Sequence, residues 1–361
     1  MKNIFIAANS LVVGGVEISL ISFLNNIDLK KYNITLLLED KVGELLSEIP
    51  KQVKIIEYKP LINGNILIRK IKNRIRFIKF IINNKNKYDV SICYASYIQL
   101  SEKIVRKICK NNYMWIHTDY TKIYNNENLK KFVKRINYKK FKNLVFVSEA
   151  AKKNYLNQYN TKKQNCIVCK NLIPYKKLIM NSKDKIDYKK PNMPTFLNIS
   201  RHDEHAKKIT RIIGAANLLK KDNIDFQILL IGAGKDTLNY QTLVKEKKLE
   251  NNIIFLGLKE NPYPYYKIAD CFILTSNYEG GPITVYEALS LKTPVITTDV
   301  GDIIKYIKKN DGIIIEKNTQ SLYKAMKEFI NNKKVFKVNF DVNQFNKETL
   351  KTISNILDGR I

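Results

Sequence analysis

Short, largely apolar runs recur along this 361-residue chain, and most are followed by a longer stretch with helical spacing. That alternation limits the fold more than any other feature. The runs are Asn3–Ala8, Ile34–Leu38, Val53–Tyr58, Val90–Tyr94, Tyr113–His117 and Leu144–Ser148, then Pro194–Ser200, Phe226–Ile231, Ile253–Leu256, Cys271–Thr275 and Pro294–Thr298. Strands covered by helices on both faces read as continuous hydrophobic segments, so the pattern predicts α/β architecture with doubly wound parallel sheets. Between Asn171 and Pro194 the rhythm lapses into a lysine-rich stretch containing Pro174 and Pro191. This divides the chain into an N-terminal Rossmann-like domain at 1–173, a linker at 174–193 and a second Rossmann-like domain at 194–338. A tail at 339–361 follows, with a helix expected over Asn346–Leu357.

Hydrophobic residues make up 45% of the chain, which fits a globular protein. Five cysteines, an odd number set mostly in apolar surroundings, point to buried thiols in a reducing compartment. Cys166-x-x-Cys169 lacks a second pair at zinc spacing and reads as structural. Met1–Ala8 reads as a buried strand rather than a signal peptide, and no run of eighteen apolar residues occurs.

The formal net charge is +30. The abundance of Lys, Asn, Ile and Tyr fits a compositional bias, and an anionic partner would also account for the charge. The distribution is uneven. From Tyr58 to Tyr88 there is no acidic residue, while Arg69, Lys70, Lys72, Arg74, Arg76 and Lys79 are interleaved with Ile68, Ile71, Ile75, Ile78 and Ile82 at helical spacing. Segment 66–82 is thus expected to be a basic amphipathic helix. Either its apolar face packs on a sheet and its cations are solvated, or it touches an anionic membrane surface. Lys130, Lys131, Lys134, Arg135, Lys139, Lys140 and Lys142 form a second basic stretch. A nucleic-acid reader would carry aromatic platforms there; these stretches carry isoleucine, and no nucleic-acid partner is expected.

The chemistry-bearing motif follows the run Cys271–Thr275. Glu279-Gly280-Gly281-Pro282 leads into a helix that carries Glu287 about two turns in. A helix start offers unpaired N–H groups and a positive dipole end to an anion, and Pro282 suits its first turn. Two carboxylates nearby can accept hydrogen bonds from sugar hydroxyls. Ser200-Arg201 closes an earlier run, with Lys207-Lys208 just beyond. Cations at a strand end of an open α/β sheet can neutralise a leaving diphosphate. Gly14-Gly15-Val16-Glu17 turns from the first strand into a helix, Gly232-Ala233-Gly234 forms another glycine turn, and His117 closes a strand of the first half. No Asp-x-Asp occurs.

The Glu-x7-Glu spacing in its strand–loop–helix context, with Lys292–Gly301 after it, resembles the signature of the retaining glycosyltransferases of family 4. That resemblance implies a GT-B fold: two facing Rossmann-like domains, a donor in the cleft and a C-terminal helix that crosses back to the N-terminal domain. It implies that Glu279 holds hydroxyls of the donor sugar, Glu287 holds the ribose, and Arg201 and Lys207 bind the diphosphate. Gly280, Gly281, Thr284, Gly232, Leu258, Gly14 and Gly15 then border the donor, and His117 stands near its sugar. The family's lysine is usually one residue closer to the arginine and followed by glycine, so Lys207 takes its role and Lys208 the glycine's place. Glycine is also usual where Lys292 stands, so that helix is expected to end differently. The resemblance implies a nucleotide-sugar donor, a UDP-sugar first among the candidates, in bacterial surface polysaccharide, capsule or lipopolysaccharide biosynthesis, and a glycan or lipid-linked acceptor. No metal cofactor is expected, and the location is cytoplasmic, at the inner membrane face. An inverting enzyme with His117 as base is the alternative; a dinucleotide oxidoreductase lacks its glycine fingerprint in the first turn.

Overall fold

The computed structural model describes residues 1–94, 99–124, 126–159 and 164–361. The chain divides into two compact units, one formed by Met1–Leu172 with Asn346–Ile361 and the other by Ile173–Phe345.

The first unit is built on a seven-stranded parallel sheet: β1 (Lys2–Ala8), β2 (Tyr32–Leu38), β3 (Lys54–Glu57), β4 (Val90–Cys93), β5 (Asn112–Ile116), β6 (Asn143–Phe146) and β7 (Asn165–Val168). Their order is β3-β2-β1-β4-β5-β6-β7. Side chains alternate between faces along a strand. On β1, Ile4, Ile6 and Ala8 enter one hydrophobic cluster while Phe5 and Ala7 enter the other. Both clusters are closed to solvent, which explains why the strand reads as an unbroken apolar run. The tail completes the first of them: Ile353, Ile356 and Leu357 of the helix Val342–Leu357 are buried with Trp115, Leu20 and Ile4. Tyr32 Oη donates to Asp358 Oδ1 at 3.0 Å, and Lys2 Nζ donates to the Asp358 carbonyl.

The second unit repeats the plan with six parallel strands: β8 (Thr195–Ile199), β9 (Gln227–Ile231), β10 (Ile253–Gly257), β11 (Cys271–Leu274), β12 (Val295–Thr298) and β13 (Gly312–Ile315). Their order is β10-β9-β8-β11-β12-β13. Phe196 and Leu197 point into opposite clusters, as on β1.

Two details depart from the sequence reading. Segment 174–193 contains a helix, Tyr175–Asn181, and packs Leu178, Ile179, Ile186 and Tyr188 into the second unit's core. β7, which opens on Asn165, and β13, only three isoleucines after Gly312, are too short to stand out as apolar runs. All five cysteines are thiols. Burial pushes the Cys169 and Cys271 thiols up, away from reactive thiolate.

Candidate active site

β8 and β11 are neighbours in the second sheet, but the chain leaves them in opposite directions, β8 towards β9 and β11 towards β12. Beyond the carboxyl ends of two such strands lies the ligand-binding position of an open parallel sheet. The loops that emerge there carry Arg201, Lys207 and Glu279. Lys207 Nζ donates to Glu279 Oε1 at 2.5 Å, and Ser276 Oγ donates to the same oxygen at 2.6 Å. The two charged side chains are 20% and 15% exposed, so water screens the pair only in part.

A buried arginine holds these loops in register. Arg211, from the helix Thr210–Lys221, donates to the Thr275 carbonyl and to Asn277 Oδ1, both at 2.6 Å. Asn277 in turn donates from its backbone N–H to the Ala206 carbonyl at 2.8 Å, and from its amide to the His205 carbonyl at 2.9 Å. Thr275 Oγ1 bonds the Lys207 and Lys208 carbonyls at 3.0 and 3.1 Å. Sequence reasoning did not single out Arg211, because nothing local to it marks bonds to residues 64 and 66 positions away.

Arg201 pairs with a different carboxylate from that of Lys207. Its guanidinium is 70% exposed and lies 3.4 Å from Asp203. Its backbone is fixed by the glycine turn after β9: His202 N–H donates to the Ala233 carbonyl at 3.0 Å. Gly232 has φ +136°, and a Cβ there would sit 2.0 Å from the Ser200 carbonyl oxygen. The turn therefore requires glycine, and its close approach is to the segment bearing Arg201. Leu258, just past β10, is 78% exposed.

Gly280 is buried, and Gly281 and Thr284 are half-buried at the start of the helix Ile283–Ser290. Pro282 is the capping residue rather than a first-turn residue, and Glu287 lies little more than one turn in. Glu287 is only 6% exposed and accepts from Tyr266 Oη at 3.0 Å. Burial pushes its pKa up to about 7. The structure brings Glu279 and Lys207 together, whereas Glu287 is buried against Tyr266. Two lysines stand where glycine was expected, and both adopt left-handed backbone, Lys208 at φ 53° and Lys292 at φ 64°. The helix thus ends as a glycine-terminated one would, with Thr293 N–H bonded to the Ala288 carbonyl at 2.9 Å.

In the first unit, Gly14 caps and Gly15 opens the helix Gly15–Asn26. Gly14 is extended at φ −163°, so its backbone does not demand glycine, although a Cβ would meet Glu17 Oε2 at 2.4 Å. His117 follows β5. Both of its ring nitrogens are buried with no hydrogen-bond partner among the described residues, and its ring lies 4.6 Å from that of Tyr94. Burial pushes its pKa down to about 3. Such a ring is neutral, suited to giving or accepting one hydrogen bond and poorly suited to acting as a base near pH 7. Beside it Ser19 Oγ lies 2.8 Å from Tyr94 Oη and bonds Asn171 Oδ1 at 2.8 Å, a buried link between residues far apart in sequence.

Two parallel-sheet α/β units of this topology define the GT-B fold, and solved structures of that fold superpose on the chain. An Anabaena HepE structure in complex with UDP-glucose covers 98% of this chain and all of its own, with a TM-score of 0.74 and 15% identity. Residues 180–345 match the family model "Glycosyl transferases group 1". An uncharacterized glycosyltransferase of Methanocaldococcus jannaschii is 36% identical over 104 residues, 29% of this chain and 25% of that protein. The match thus spans about a quarter of that relative's length. A Campylobacter jejuni relative, N-acetylgalactosamine-N,N'-diacetylbacillosaminyl-diphospho-undecaprenol 4-alpha-N-acetylgalactosaminyltransferase, is 23% identical over 93% of this chain and 92% of its own.

Proposed function

We propose that this chain is a retaining glycosyltransferase that moves a sugar from a nucleoside diphosphate donor, a UDP-sugar first among the candidates, to a lipid-linked glycan or surface polysaccharide precursor. The observation that carries the reading is the Lys207–Glu279 pair at the switch point of the second sheet, in the segment that matches the family model. The names of the relatives support the substrate class: one acts on a diphospho-undecaprenol glycan, and one structural neighbour holds UDP-glucose.

Lys207 and Arg201 supply positive charge to the diphosphate as its bond to the sugar breaks. Glu279 accepts bonds from Lys207 and Ser276 on one oxygen, and its other oxygen serves a sugar hydroxyl. Gly280 and Gly281 offer backbone N–H groups at the helix start. Glu287 is assigned the ribose hydroxyls, in addition to its bond with Tyr266. The leaving phosphate assists same-face substitution, no protein nucleophile is needed, and charge neutralisation falls to side chains rather than to a metal ion.

Thermal melting with UDP-, GDP- and ADP-sugars tests the reading. A UDP-sugar is expected to raise the melting temperature, since at a hundredfold excess over its Kd a native-state ligand stabilises by about 2.7 kcal/mol. The shift should shrink in Glu279→Ala and persist in EDTA. A protein that melts cooperatively and responds to none of the donors would refute the assignment.

A further inference from the structure

The helix Ile66–Asn84 has no buried residue along its 19 positions. Asn65 caps it by accepting from the Leu67 and Ile68 N–H groups, and Asn73 exchanges two hydrogen bonds with the Leu61 backbone, so the preceding loop lies along it. One face meets the body of the first unit: Phe77, Phe80 and Ile81 are partly buried, with the Phe80 ring 4.7 Å from that of Tyr58. The opposite face is apolar and faces solvent. Ile68, Ile71, Ile75, Ile78 and Ile82 are between 47% and 69% exposed, and Leu67 is 71% exposed. At 100° per residue these six share one arc, about 21 Å long between Ile68 and Ile82. Lys72 and Lys79 border that arc on one side and Arg74 on the other. This arrangement exceeds the scattered apolar exposure of an ordinary surface.

We infer that the helix Ile66–Asn84 lies flat on a bilayer of anionic lipid, its isoleucine arc among the acyl chains and its flanking cations on the headgroups. The charge pattern selects this occupant. Segment 58–88 contains no carboxylate to meet a basic partner, and a second copy docking through the same face would oppose like charges. Aromatic stacking residues for nucleic acid are absent from the arc. The helix is on the surface rather than through it, because no helix among the described residues is long and apolar enough to cross a membrane.

Sedimentation of the full chain with phosphatidylcholine vesicles, with and without roughly one-third phosphatidylglycerol, tests this without reference to sugar transfer. Binding should be at least about tenfold tighter to the anionic vesicles and weaken with salt. Ile71→Ser with Ile75→Ser should lower it by about tenfold or more, and so should Lys72→Gln, Arg74→Gln and Lys79→Gln together. Their melting curves should match the parent, because the altered side chains are solvent-facing. An Ile75→Trp variant should shift its emission to the blue on anionic vesicles, against a single native tryptophan, Trp115, that is 1% exposed. No sedimentation at low salt, serine variants that bind as well as the parent, a face that holds duplex DNA and ignores vesicles, or variants that only convert a dimer to a monomer would each overturn the proposal.

Discussion

Lys207 and Glu279 sit 72 residues apart in sequence, and nothing local to either announces the other. Both residue types were legible at the ends of apolar runs; their ion pair exists only because β8 and β11 are adjacent. Lys207→Ala is expected to lower kcat/KM for sugar transfer by about a hundredfold to a thousandfold, the usual cost of removing one charge-stabilising group. An unchanged kcat/KM would remove Lys207 from the chemistry. Glu287 makes a different prediction. Its native pKa of about 7 lies above the ordinary 4.5, so the folded state holds the proton more tightly than the unfolded chain. Stability from this group is complete below about pH 4.5, declines as the pH rises to about 7, and is absent above; the span is about 3 kcal/mol. Glu287→Gln cannot titrate, and its urea midpoint should fall less than the parent's between about pH 5 and 8. Equal slopes would show that Glu287 ionises normally. Lys208 and Lys292 show a limit of reading residue types. Glycine is the usual occupant of left-handed backbone, yet both lysines adopt it, so a missing glycine did not mean a missing turn.

The two loops of the site behave as one element because Arg211 bonds across them. Arg211→Met would leave the Thr275 carbonyl and Asn277 amide short of buried partners. It should cost about 2–4 kcal/mol of stability and raise the apparent KM for the donor more than it lowers kcat. A variant with parental stability and kinetics would show the loops to be held by other bonds. The strands were readable from sequence because burial on both faces leaves an unbroken apolar signature. β7 and β13 escaped notice as edge strands with short apolar cores: β7 opens on Asn165, and β13 offers only the three isoleucines Ile313–Ile315 after Gly312. For the helix Ile66–Asn84, sequence spacing established the amphipathic face and could not say which way it turned; packing of Phe77 and Phe80 against the body decides that the isoleucines face outward.

At the scale of the molecule, the fold class followed from the strand–helix rhythm, whereas membership of each unit did not. Composition marked 174–193 as a connection, but its apolar residues have a core to enter, and they enter it. The final helix has the reverse character: Asn346–Ile361 belongs to the unit that the chain began with. Ending the chain after Phe345 should therefore destabilise the first unit by several kcal/mol, since Ile353, Ile356 and Leu357 are each no more than 2% exposed. A truncated chain whose first unit keeps its parental protection from hydrogen exchange would contradict this. The same closure has a consequence for birth on the ribosome. The strands of the first unit are made by Leu172, but the segment that covers their sheet, Asn346–Ile361, is translated only after the whole second unit. Elongation at about 5–20 residues per second leaves roughly 9–35 s between Leu172 and Asn346. Through that interval the nascent chain carries an uncovered apolar surface, which makes it a natural client for chaperones until that segment is made.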